Sequence, residues 1–236
     1  MITSIQLKQV IRNKRFLMFT VFLPVCWLFI ISNLQNVLSP NVVFGIAVFI
    51  GIIGNGIATF SKRISSEKEF FIFQSKVSNY SMKNYFFNQT LVQLCLNSGI
   101  FLVVAAFAIL FFNLTVSWNL LVQFILLMIM GVYFSCIGFL IGSRVSPKII
   151  DTVSFPIIII ASLTIVPFSQ FATSNLFLKI VSAVQKIFPG YYYNEGLSDL
   201  INNSTVNLPI ILLFFMVFLL NLIPIYLLIP SDNYKK

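Results

Sequence analysis

The chain of 236 residues contains no histidine, only six acidic residues and only three cysteines. Cys26, Cys95 and Cys136 stand singly inside apolar runs, so neither a zinc-type ligand set nor a Cys/His nucleophile pair can be assembled. They read as small core residues. Charge is equally scarce, at 9% of residues against roughly 25% in a soluble domain. That leaves too little polar surface to coat a globule. What the chain has instead is apolar residues, 58% of the total, gathered in runs near the ~20 residues that span hydrocarbon. In lipid every backbone donor and acceptor must be satisfied within the segment. The runs are too long and too evenly apolar for barrel strands, so helices remain.

Six runs predict transmembrane helices over about 16–34, 42–60, 85–112, 120–142, 149–168 and 208–228. The expectation is an all-α polytopic membrane protein, one membrane domain over 1–236. Thirteen of the fifteen Lys and Arg residues fall before the first run, between the second and third, between the fourth and fifth, or after the sixth. Only Lys179 and Lys186 lie in the alternate segments. Because basic loops are retained in the cytoplasm, both termini are expected there. No small-x-small cleavage site follows Ile31, so the first span is expected to remain in place.

The segments between runs carry the specific signals. Thr3 with Gln6 makes a capping-box pattern ahead of a short helix whose Leu7, Val10 and Ile11 oppose Lys8, Arg12 and Arg15, which suits the membrane surface. Ser66 with Glu69 repeats that spacing between runs two and three, where Phe70, Phe73 and Val77 share one helical face. Such a face either packs on its own bundle or docks a cytoplasmic partner. In the third run Gln89, Gln93 and Asn97 recur every fourth residue, which places them on one face to line a conduit or to bond between helices. In the fifth, Ser146 and Pro147 open a helix, Asp151 suits its N-terminal dipole, and Pro156 predicts a kink. Leu176 to Phe188 is amphipathic, Pro189-Gly190 breaks it, the three tyrosines Tyr191 to Tyr193 suit an aromatic belt, and Asn194 to Leu200 suits a second short helix with Glu195 and Asp199.

Catalytic patterns are missing. Gly51 and Gly56 have phosphate-loop spacing, but Ile57-Ala58 stands where Lys and Ser/Thr are required. Gly54 with Ala58, and Gly138 with Gly142, read as small-residue helix contacts. Facing carboxylates for hydrolysis are also lacking.

The surface helix before span one, Pro24 within that span, the Glu67-Lys68 helix between spans two and three, and Phe188-Pro189-Gly190-Tyr191 to Leu197 before span six together resemble the ABC type-2 exporter permeases, members of bacterial ABC transporters. Where the family often has Gly-Thr after Glu-Arg and a proline before span three, this chain has Phe70-Phe71 and, near the proline's place, Lys76. The resemblance implies two six-span subunits, identical or paralogous, in the bacterial cytoplasmic membrane. It implies a separate ATPase docked on Ser66, Glu67, Lys68, Glu69, Phe70, Phe73 and Val77, and an external gate at Phe188, Pro189, Gly190, Tyr191, Tyr192, Tyr193 and Glu195. ATP and magnesium would then belong to the partner, with no cofactor in this chain and no enzyme activity of its own. Family members of this size export bacteriocins, amphipathic peptide toxins, drugs or lipid-linked glycans. The 27 phenylalanines and sparse charge favour an amphipathic or hydrophobic substrate, with Gln89, Gln93 and Asn97 lining the pathway. The rival readings are an ion-coupled secondary transporter, which needs midplane ion sites, and a membrane scaffold or immunity protein.

Overall fold

A computed structural model describes residues 17–18, 22–32, 39–77, 81–166, 168, 176–203 and 207–228. The predicted surface helix over Thr3 to Arg15 lies outside them. The described residues form helices and no strand. In chain order these are α1 (Leu23–Ser32), α2 (Pro40–Gly54), a π-helical stretch (Asn55–Phe60), α3 (Ser61–Val77), α4 (Met82–Phe112), α5 (Trp118–Arg144), α6 (Pro147–Ser162), α7 (Leu176–Gln185), α8 (Pro189–Asn203) and α9 (Leu208–Leu227).

Among the described residues four helical segments are long and apolar enough to cross a membrane: the continuous Pro40–Val77, then Asn84–Phe112, Trp118–Arg144 and Leu208–Leu227. Each covers one predicted run. The other two runs appear as shorter helices. At 1.5 Å per residue α6 is about 24 Å long and ends at Ser162, short of the predicted 168. The described part of α1 is shorter still, at about 15 Å.

The centre of the bundle is α2. From Val42 to Gly54 every residue is buried, and so is the whole π-helical stretch. This explains its composition of Val, Ile, Phe, Ala and Gly. A helix enclosed on all sides has no lipid-facing stripe, and small residues let neighbours close in. A Cβ on Gly138 would strike the Gly56 carbonyl, and one on Gly142 would strike the Ser61 carbonyl. The Gly138 and Gly142 pair on α5 is therefore a close backbone contact, as expected, and its partners are the π-helical stretch and the first residue of α3. Gly51 is closed on by Pro24 of α1 and Ile100 of α4.

Several ends follow local chemistry. Ser81 caps α4, its Oγ accepting the Asn84 N–H at 3.2 Å. Asn113 ends that helix in the left-handed region with φ 52°, a conformation asparagine tolerates. Two sequence readings need correction. Ser66 and Glu69 do not start a helix, because α3 arrives already formed from the π-helical stretch and Ser66 sits within it. Pro189 does more than break: it is the first residue of α8, where its missing N–H has no helical acceptor to lose. Of the cysteines only Cys136 is buried; Cys26 is half-buried and Cys95 exposed on the bundle surface.

Candidate functional site

The proposed docking residues divide by helical geometry. Ser66, Glu69, Phe70, Phe73 and Val77 point outward, with Phe70, Phe73 and Val77 at 68%, 66% and 74% exposure. They lie at 0, 3, 4, 7 and 11, one face of α3. Glu67 and Lys68 turn inward. The Lys68 Nζ donates to the Ser143 carbonyl at 2.9 Å, and the Ser65 Oγ donates to the Val145 carbonyl at 2.6 Å. Both acceptors are end-of-helix carbonyls of α5, which lack helical donors and carry the negative end of the dipole. Arg144 does the same for α9, donating to the Leu228 carbonyl at 2.6 Å. Phe71, between the two faces, is buried and stacked on Tyr85 at 4.5 Å.

Asp151 is not in the first turn of α6. Its Oδ2 accepts from the Lys62 Nζ at 2.7 Å, fastening α6 to α3. Both side chains are more than a third exposed. Asp151→Asn is therefore expected to cost under about 1 kcal/mol, whereas Lys68→Met, which removes a cation from half-buried carbonyls, is expected to cost about 1.5–3 kcal/mol. Thermal unfolding of the two purified variants checks the order.

Gln89, Gln93 and Asn97 lie at 0%, 1% and 1% exposure and face the interior of the subunit. The Asn97 Oδ1 accepts from Asn55 Nδ2 at 2.8 Å. The Gln89 Nε2 and the Tyr85 hydroxyl both donate to Glu67 Oε2, at 3.3 and 3.2 Å. The partners Asn55 and Glu67, with Thr59 and Arg63 between them, also recur every fourth residue along the π-helical stretch and α3. Antiparallel register pairs 55 with 97 and 67 with 85. The fourfold spacing of each strip is visible in the sequence; that the two strips face each other is not.

Residues 1–202 match the family described as ABC-2 type transporter. The chain belongs to that family. No curated protein and no solved structure matches it with significance. It is thus the membrane permease component of an ABC transporter, a family that works with ABC ATPases.

In this permease the predicted gate residues are gathered at the start of α8. Pro189 and Gly190 are buried, with Gly190 close under the Thr164 carbonyl and the Phe49 ring. Tyr193 is 1% exposed, stacks near Phe49 with centroids 6.3 Å apart, and sits against Gly45, where a Cβ would meet its hydroxyl. Tyr191 donates to Glu195 Oε1 at 2.7 Å, and the Lys186 ammonium lies 5.8 Å from its ring. Burial, then this hydrogen bond, raise the Tyr191 phenol above its usual range; burial alone raises Tyr193. Tyr192 is half-buried, edge-on to Tyr191, and Phe188 is half-buried beside the turn. Of the three tyrosines, then, two are half-buried and one is a core residue.

Amides that the sequence did not single out hold the start of α8 against the turn that follows α6. Where α6 gives way to the turn 163–166, Gln185 Nε2 donates to the Leu163 and Val166 carbonyls at 2.5 and 2.7 Å, and Asn194 Nδ2 donates to the Ile165 carbonyl. Asn221 of α9 donates to the Ile187 carbonyl at 3.0 Å. Irregular backbone survives at membrane depth only where neighbours satisfy it. That requirement is the signal that would have singled out Gln185 and Asn194.

Proposed function

We propose that this permease is the six-span subunit of a bacterial ATP-driven exporter, with both termini in the cytoplasm, paired with a second copy or a paralogue. Separate ATPases dock on the outward face of α3, and the substrate is amphipathic or hydrophobic: a peptide toxin, bacteriocin or drug. The observation that carries the reading is the aromatic face of α3. The same continuous helix is enclosed throughout α2 and then presents Phe70, Phe73 and Val77 uncovered. Exposed aromatic anchors at one end of a buried rod suit a partner that moves the rod. The basic residues of α3 and of the α5–α6 connection, Lys62, Lys68, Arg144 and Lys148, support its cytoplasmic placement. The Tyr193 contact with Gly45 and Phe49 supports an outer gate at the opposite end of α2.

The test has two parts. Affinity purification of the chain from its native membrane is expected to bring down a phosphate-loop ATPase. With native cysteines replaced, Ser75→Cys is expected to resist an impermeant thiol reagent in intact cells while Ser174→Cys is labelled. Purification without an ATPase, or external labelling at position 75, would overturn the assignment.

A further inference from the structure

The opposed strips Asn55, Thr59, Arg63, Glu67 and Tyr85, Gln89, Gln93, Asn97 form a polar seam inside one subunit. Twelve residues of helical rise give it a length of about 18 Å. Its most distinctive property is what its side chains do not reach. Asn55 Oδ1, Thr59 Oγ1, Gln89 Oε1, Gln93 Oε1 and Nε2, Asn97 Nδ2 and all three guanidinium nitrogens of Arg63 are buried without a protein hydrogen-bond partner, as is Thr90 Oγ1 beside them. The Arg63 guanidinium has the Phe60 ring 5.2 Å away and the Glu67 carboxylate within electrostatic range, but no hydrogen bond to either. Asn55, Thr59, Gln89, Thr90, Gln93 and Asn97 are each under a tenth exposed.

Ten such atoms in one place are far beyond the few that a folded chain leaves unmet, and a guanidinium is the costliest of all groups to strand. Direct pairing across the seam cannot satisfy them all. Arg63 alone brings five donor hydrogens, while the free acceptors beside it are shared with the amides. The site is polar, elongated and reaches the half-buried Glu67 at one end, and its unmet donors and acceptors supply the roughly two to four partners that a buried water needs.

We propose that the seam is a hydrated crevice within each subunit, holding a file of water from Glu67 to the Asn55–Asn97 pair. This compartment is separate from any pathway formed between two subunits. Its water bridges Arg63 to the amides of α4 and exchanges partners readily, so that the π-helical stretch and α3 can shift against α4 without stranding polar groups.

The experiment uses the full chain with Cys26, Cys95 and Cys136 replaced by alanine, in lipid nanodiscs where both faces are open to reagent, so that its outcome is independent of the proposed orientation. A small water-soluble methanethiosulfonate reacts with thiolate that water reaches. Thr59→Cys and Thr90→Cys are expected to react at least about tenfold faster than Ile53→Cys in the apolar core and Leu102→Cys on the lipid face. Rates no higher than that of Ile53→Cys would mean a dry seam and overturn the proposal. A second measurement needs no substitution in the seam. Hydroxyl-radical labelling of the unaltered chain is expected to modify Tyr85 several-fold faster than Tyr133, although they are 7% and 5% exposed. Equal protection of both tyrosines would count equally against it.

Discussion

Substrate movement by the reconstituted permease and its ATPase is expected to fall to background when ATP is replaced by a non-hydrolysable analogue, even under an imposed proton or sodium gradient. A ligand shifts a conformational equilibrium only through its differential affinity for the two states. An ion-driven carrier therefore needs a group whose occupancy changes during the cycle. Within the predicted spans Asp151 is the only carboxylate, and it is held by Lys62 at 2.7 Å in a partly exposed pair near one end of α6. Proton relays and ion sites place such groups deeper and in company. Asp151→Asn is accordingly expected to retain most of the ATP-driven activity. Gradient-driven transport by the chain alone, lost in Asp151→Asn, would decide for a secondary transporter.

The double substitution Phe70→Ala, Phe73→Ala is expected to detach the ATPase while leaving the permease folded. Truncating an aromatic anchor at the centre of an interface costs about 2 kcal/mol or more, roughly 30-fold in affinity for each ring. Because each ring is about two-thirds exposed in the isolated subunit, its removal opens no cavity there. Phe71→Ala is the contrast: that ring is 4% exposed and stacked on Tyr85, so its loss is expected to cost about 3 kcal/mol of stability. ATPase binding by titration, read beside thermal unfolding, separates the two effects. Undiminished recruitment by the double variant would remove α3 as the docking element.

Helix type and the position of the long apolar segments were legible because lipid permits so few backbone solutions. The helical face of Phe70, Phe73 and Val77 was legible too, since periodicity survives whatever the helix packs against. Its beginning was not. Ser66 and Glu69 have capping-box spacing, yet a capping box matters only where orphan N–H groups exist, and after Ser66 the carbonyls of the preceding turn of α3 already accept from them. The seam escaped for a different reason. Asn55 and Thr59 are isolated polar residues in an apolar run, and Arg63 had been counted only for topology. Their common face emerges when α4 is laid antiparallel beside them, which is tertiary information. In the same way the three tyrosines look interchangeable in sequence, while helix α8 sends Tyr193 alone into the bundle against Gly45.

The rod formed by α2, the π-helical stretch and α3 touches α5 backbone to backbone where Gly138 meets Gly56. A rigid rocking of the rod would pivot near that contact and the adjoining one of Gly142 with Ser61. About 24 Å of helix extends from Gly56 to Pro40 and about 31 Å from Gly56 to Val77, so the rod is a lever with nearly balanced arms. A sideways push at Phe70, about 21 Å from Gly56, would be returned at Gly45, about 16.5 Å on the other side, with opposite sign and about four-fifths the amplitude. The short arm carries Gly45 and Phe49, the seat of Tyr193. Such a swing would shift that seat against α8 by about half to four-fifths of the push, without a relay of intermediate side chains.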